Sequence, residues 1–177
     1  MPELLAADLG SIVAGLETAG AAPNSEALLK VAKSIAQLFD VDADEVAILK
    51  VVPKYKSLKF VLPEKLALVG TIPLSSATAL AARTARERKP ELMNNFSTAR
   101  HANVFEGVPL GRDSSELIQK IMSAPILDGP RVLGVVQISR KAASLSEAGP
   151  DFTQKDLKTL ASITIVLDRF LKICHIE

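Results

Sequence analysis

Residues 117–140 read LIQKIMSAPILDGPRVLGVVQISR, and this stretch decides the architecture. Two apolar and β-branched runs, Leu117 to Leu127 and Val132 to Arg140, flank the turn sequence Asp128-Gly129-Pro130-Arg131. Such a pattern predicts an antiparallel hairpin. A polar loop follows over 141–151. Thr153 with Asp156 three residues later then forms a capping box in its Asp variant, which starts a helix that runs almost to the C-terminus. On that helix Leu157, Leu160, Ala161, Thr164, Leu167 and Leu171 share one stripe suited to packing on a sheet. Ile163, Val166, Phe170 and Ile173 form a second stripe on another face. A helix apolar on two faces is buried on two sides.

Working outward toward the N-terminus, Glu91 to Phe96 reads as a short strand, and 97–114 is irregular and expected to be the most mobile interior part. Before it, a helix is predicted near Ser76 to Arg88, capped by Ser75 or Ser76 and stopped ahead of Pro90. Two strands precede that helix. Glu45 to Val52 is apolar on both sides, as a central strand is. Leu58, Phe60 and Leu62 alternate with Lys59 and Val61, predicting one more exposed side. A helix over about 25–39, capped by Asn24 or Ser25, carries one broad apolar face through Leu28, Val31, Ala32, Ile35, Leu38 and Phe39. The first segment, Pro2 to Ala19, has only the thin seam Leu5, Leu9, Ile12 and Leu16, weakened by Gly10 and Gly15. A short helix with so narrow a stripe needs a partner. Antiparallel strands with helices segregated to one face predict an α+β fold.

Composition narrows the function classes. The 177 residues fit one domain, read as an N-terminal helix over 1–23, expected to serve dimerisation, and a main domain over 24–177. A net charge of +1 gives no basic footprint for nucleic acid, and 4% aromatics supply few stacking platforms. The single cysteine, Cys174, excludes an internal disulfide framework and a cysteine zinc cluster, and suggests a reducing, cytoplasmic setting. Acidic residues at Glu3, Asp8 and Glu17 spoil a secretory signal, and no apolar run reaches membrane-spanning length. No catalytic elbow, phosphate loop, dinucleotide fingerprint or zinc-protease pair occurs, so the chain reads as a non-enzyme.

Taken in order, Ile72-Pro73-Leu74 before an Ala-rich helix, Lys89-Pro90-Glu91, Ser123-Ala124-Pro125-Ile126, Leu133-Gly134-Val135-Val136, and Phe152-Thr153-Gln154-Lys155-Asp156 resemble the GAF family over roughly 24–173. The resemblance implies a central antiparallel sheet with terminal helices packed on one face and a ligand-pocket side on the other. It also implies a sensory or regulatory domain for a small molecule, its identity and any cofactor unknown. The alternative within the family is a degenerate member acting as a dimerisation or protein-interaction module; a third is the effector domain of a larger regulator. Cyclic-nucleotide-binding members carry an Asn-Lys…Phe…Asp-Glu signature, whose matching positions here are Ser139, Arg140, Phe152, Asp156 and Leu157. Only Phe and Asp are kept, so the expected role of Arg140, Phe152 and Asp156 is a structural latch, with Arg140 or Lys141 meeting Asp156.

Ligand contact is expected on the 92–117 segment, with Asn94, Phe96, His101 and Phe105 as candidates, although an exposed loop histidine is the commoner case. Asp40, Asp42 and Asp44 resemble the start of a calcium loop, but Glu45 and Val51 stand where Gly and Glu are required, leaving a polar turn and no metal site. Arg83, Arg86, Arg88 and Lys89 crowd a helix C-terminus, where cations are favourable without a ligand. Cys174-His175 ends the terminal helix, far in sequence from the pocket segments. The surplus stripes of the first and last helices predict a homodimer through the terminal helices; packing of the two helices within one chain is the competing solution.

Overall fold

The computed structural model describes residues 2–68, 70–96 and 117–175. The helices are α1 (Pro2–Ala19), α2 (Ser25–Phe39), α3 (Leu80–Glu87) and α4 (Gln154–Ile173); the strands are β1 (Val46–Val52), β2 (Ser57–Leu62), β3 (Thr71–Pro73), β4 (Glu91–Met93), β5 (Leu117–Asp128) and β6 (Arg131–Ala142). All strand pairs are antiparallel, and the sheet order is β3-β2-β1-β6-β5-β4. The predicted hairpin forms its centre. Asp128 pairs with Arg131, and Gly129 turns the chain at φ 59°, a conformation that suits glycine ahead of a proline fixed at negative φ.

Because β6 lies between β1 and β5, successive side chains must serve opposite layers. Val136 and Ile138 join Ile48, Met122 and Ala124 under α2 and α4, in the larger core. Val135 joins Leu49, Leu58 and Phe60 under the alanines of α3. Alanine at positions 81, 82 and 85 lets α3 lie close to the sheet, all three being buried. Beside it, Leu80, Phe96, Ile118 and Ile121 form a third small cluster.

Caps follow the sequence closely in two helices. The Asn24 side chain accepts from Ala27 N at 2.9 Å and starts α2. Thr153 and Asp156 exchange hydrogen bonds of 2.8 and 3.1 Å and start α4. Three expectations need correction. The third helix begins at Leu80, because the Ser76 hydroxyl accepts from Ala79 N at 3.1 Å and closes a turn ahead of the helix. The short strand stops at Met93, before Asn94 and Asn95 turn. β2 has no open side: a bulge opposite Ile48 and Leu49 puts both Val61 and Leu62 into the helix-side core, while Leu58 and Phe60 fill the α3 side. The 97–114 segment lies outside the described residues.

α1 packs against α2 and α4 of its own chain. Leu9 and Val13 are fully buried, as is Phe170 on the second stripe of α4, and all three belong to the larger core. Glu17 of α1 pairs with Arg169 of α4. The two surplus stripes therefore cover each other within one chain, which removes the reason for expecting them at a dimer interface. Leu9→Ala should lower stability by about 2–5 kcal/mol, the usual cost of a large-to-small change in a closed core. Urea unfolding at several protein concentrations checks this; a midpoint that moved with concentration would mean that a second copy holds α1.

Candidate functional site

Strand alternation on β6 places Gln137, Ser139 and Lys141 on the α3 side of the sheet, interleaved with Val136, Ile138 and Arg140 on the helix side. Ser123 of β5 sits opposite Gln137, and Ile121 opposite Ser139. Within this apolar layer the polar groups form a short chain. The Thr84 and Ser123 hydroxyls are 2.7 Å apart, Thr84 Oγ1 also donates to Leu80 O at 3.0 Å, and Gln137 Nε2 donates to Ser123 Oγ at 3.2 Å. There the chain stops. Gln137 is 2% exposed, and its Oε1 has no hydrogen-bond partner among the described residues. Exchanging the two ends of the amide would leave the other end unanswered instead. A buried amide oxygen without a partner costs about 1–3 kcal/mol.

A cavity opens at Gln137, bounded by Ala47, Phe60, Leu66, Ile118 and Ile121, with Ser139 and Lys141 at its side. Its volume is about 20 Å³, room for one water. A larger guest fits only when the walls have moved apart. The acidic side of the cavity is committed to the fold: buried Glu45 accepts from Asp42 N at 2.9 Å and from Lys141 N at 2.6 Å, tying the start of β1 to the end of β6.

The residues expected from sequence are distributed differently. Phe96 is fully buried against Ile118 and Ile121, two walls of this cavity. Asn94 instead grips the backbone ahead of α4: its Oδ1 accepts from Phe152 N at 2.9 Å and its Nδ2 donates to Phe152 O at 3.0 Å. His101 and Phe105 lie outside the described residues. Of the expected latch, Arg140 and Phe152 meet, the guanidinium lying 4.6 Å from the ring centroid. Arg140 does not go to Asp156, which caps its own helix; it donates to Phe39 O at 3.1 Å and Asp40 O at 3.0 Å. The carbonyl end of α2 carries unsatisfied acceptors and partial negative charge, so it attracts the guanidinium. Lys141 Nζ reaches Asp44 O.

Other sequence candidates resolve into structural roles. Arg83 forks onto Glu91 at 2.7 and 3.2 Å, Arg86 donates to Leu74 O and Ser76 O, and Arg88 donates to Pro130 O. Among the described residues no cluster of His, Cys, Asp and Glu could hold a metal ion, and no helix is long and apolar enough to cross a membrane. Cys174 is buried beside Lys50, on the helix side, and burial pushes its thiol up to about 12.

Gln137 and Thr84 carry no expectation from the sequence, and Ser123 only as part of a family-like segment. Their available signal was the polar alternation 137, 139, 141 inside an otherwise apolar central strand. Two measurements test the local account. Asn94→Ala should cost about 1–3 kcal/mol, since it leaves a half-buried Phe152 N–H and C=O without partners, and amide exchange at the first turn of α4 should quicken. The Cys174 thiol ionises at about 12 when folded against 9.0 ordinarily. Above the ordinary value the unfolded chain holds fewer protons than the folded one, so stability falls as pH rises from about 9 to about 12. Cys174→Ala should flatten that part of the stability–pH curve; an unchanged slope would place the titration elsewhere.

Comparison with known proteins agrees with the fold. The GAF domain family model matches residues 24–167. No curated protein matches the chain in sequence. Among solved structures, the GAF domain of an Acinetobacter phosphoenolpyruvate-protein phosphotransferase is similar with TM-score 0.65 at 16% identity, covering 93% of this chain and 90% of that one. An A. aeolicus Nlh2 GAF domain in an inactive state gives 0.64 at 15%, covering 97% and 96%. A free methionine-R-sulfoxide reductase from Neisseria meningitidis, in complex with its substrate, gives 0.63 at 13%, covering 98% and 89%. At these identities the structures speak for the fold alone, whereas the family model spans most of the sequence: the chain belongs to the GAF domain family.

Proposed function

We propose that this chain is a non-enzymatic, cytoplasmic GAF domain that senses a small molecule on the α3 face of its sheet and passes the signal to α4. The observation that carries this reading is the buried, unanswered amide end of Gln137 inside a mostly apolar cavity. A guest with one complementary polar group and an apolar body would satisfy both features. Since the cavity holds about 20 Å³, binding selects a state with its walls apart, and such coupling of occupancy to conformation is what a sensor needs. Asn94 offers the route outward: it sits just after β4, two residues before Phe96, which packs on the cavity walls Ile118 and Ile121, and its side chain fixes the backbone at the entrance to α4.

The reductase among the structural relatives raises an enzymatic alternative. Thiol-based reduction needs a nucleophilic and a resolving thiol. This sequence has one cysteine, buried on the other side of the sheet with its thiolate disfavoured. That supports the sensory reading. A second reading, a module that contacts a second copy or another protein without a ligand, draws support from Leu4 on α1 and Ile165 on α4, which are 67% and 73% exposed. An association of two copies would use these outer faces, the inner stripes being occupied.

Native mass spectrometry of the purified chain separates the two. The sensory reading expects a co-purifying small molecule, lost in Gln137→Leu while the circular dichroism spectrum stays unchanged. A bare chain at twice the mass of 18.9 kDa, with no thermal shift from any added metabolite, would favour the contact module instead.

A further inference from the structure

At the far end of β1 and β6 from Gln137 lies a larger cleft. It opens where both layers of the fold stop: at the end of β1, the start of β6, the turn before β2 and the last turn of α4. From Gln137 to Val132 is five residues, roughly 16 Å along an extended strand, so the two sites are separate. The cleft is open to solvent and spans about 560 Å³, within the range that accepts small organic ligands. All of its charged lining residues are cations: Lys50, Lys56, Arg131 and Lys172. Its apolar walls include Val132, Leu133 and Leu171.

The cations are unequally neutralised. Lys50 Nζ donates to Leu171 O at 2.7 Å and to Cys174 O, so it is tied to the carbonyl end of α4. Lys172 pairs with Asp168 at 3.0 Å, and shares Asp128 with Arg131 at 3.5 and 3.3 Å. Lys56 stands in left-handed conformation at φ 49° at the head of β2, and makes no ion pair among the described residues. Burial, with the Arg131 charge adding to it, holds the Lys50 ammonium below its usual value. Four cations face two carboxylates, and a low-dielectric apolar wall strengthens the field of the excess.

We propose that this cleft is a second ligand site, for a small organic anion with an apolar body. Its head group is held by Lys56 and Arg131, and its body lies on Val132, Leu133 and Leu171. Lys50 and Lys172 set the positive field while remaining engaged with α4. A molecule here would touch the last turn of α4 directly, independently of whatever the Gln137 cavity binds.

Titration of the full chain with sodium octanoate, followed by amide NMR, tests this, with octan-1-ol as the uncharged comparator. Octanoate should shift the amides of Lys50, Val51, Lys56, Val132 and Leu133, more weakly as salt is added, and octanol should not. The double variant Lys56→Asn, Arg131→Gln should bind octanoate at least about tenfold more weakly. Asn tolerates the left-handed backbone, and Arg131 loses only an exposed ion pair, so the fold is kept; should it be lost, Lys56→Asn alone carries the test. Equal binding of octanol, no shift at millimolar octanoate, undiminished binding by the variant, or shifts gathered around Gln137 would each overturn the proposal.

Discussion

Everything in this molecule depends on β6 being covered on both faces. A strand paired on both edges and packed on both sides has no solvent in which to leave a polar group, so each of its side chains is answered by another element or stands as a cost. Gly134 shows how tight the arrangement is. A Cβ there would lie 2.1 Å from Leu49 O and 2.7 Å from Leu171 Cδ1, so a glycine is what allows β1 and α4 to close on β6 at this level. Three residues further on, the same strand carries Gln137, and there the tightness ends in an unanswered amide. The one strand therefore supplies both the closest packing in the core and the polar gap on the α3 side.

The larger architecture was legible because its signals are periodic and local. The Asp128–Arg131 turn fixes the hairpin register, the Thr153–Asp156 box fixes the start of α4, and Asn24 fixes that of α2. Each is a hydrogen-bond requirement that a few neighbouring residues either meet or fail. The misread boundaries have a common cause. Ser76 hydroxyl chemistry serves a turn as well as a helix cap, and only the tertiary position of the alanines of α3 decides between them. For β2, the strict alternation of Leu58, Phe60 and Leu62 concealed a bulge, which depends on pairing with β1 and so on residues distant in sequence. The fate of α1 was undecidable for a similar reason. A thin apolar seam announces that a partner is needed, without saying whether it comes from the same chain.

The candidate site was less legible. Phe96 packs on two walls of the cavity, Ile118 and Ile121, whereas the Asn94 side chain, expected as a ligand contact, is spent on the backbone of Phe152. An asparagine after a short strand carries the same signature in either role, since both use its paired donor and acceptor. Gln137 lies inside the stretch that decides the fold, but a polar residue in a strand ordinarily indicates a solvated face. Only the presence of α3 over that face makes its burial significant. Likewise the latch was expected to close on Asp156 by charge, whereas Arg140 found the carbonyl end of α2, which no sequence pairing reveals.

These two departures belong to one physical arrangement. Phe152 is held from one side by the Asn94 amide and from the other by the Arg140 guanidinium, which itself anchors the end of α2. The residue ahead of α4 is thus tied to β4, β6 and α2 at once. Any displacement of β4 or β6 relative to α4 must either drag the start of α4 with it or break a hydrogen bond to a half-buried backbone group. Breaking such a bond costs more than the net gain from forming it in the first place. A shift of β4 or β6 that carries the start of α4 along keeps these bonds and is the cheaper response. The other end of the same helix borders the basic cleft through Leu171 and Lys172, so the two ends of α4 are held by different parts of the sheet.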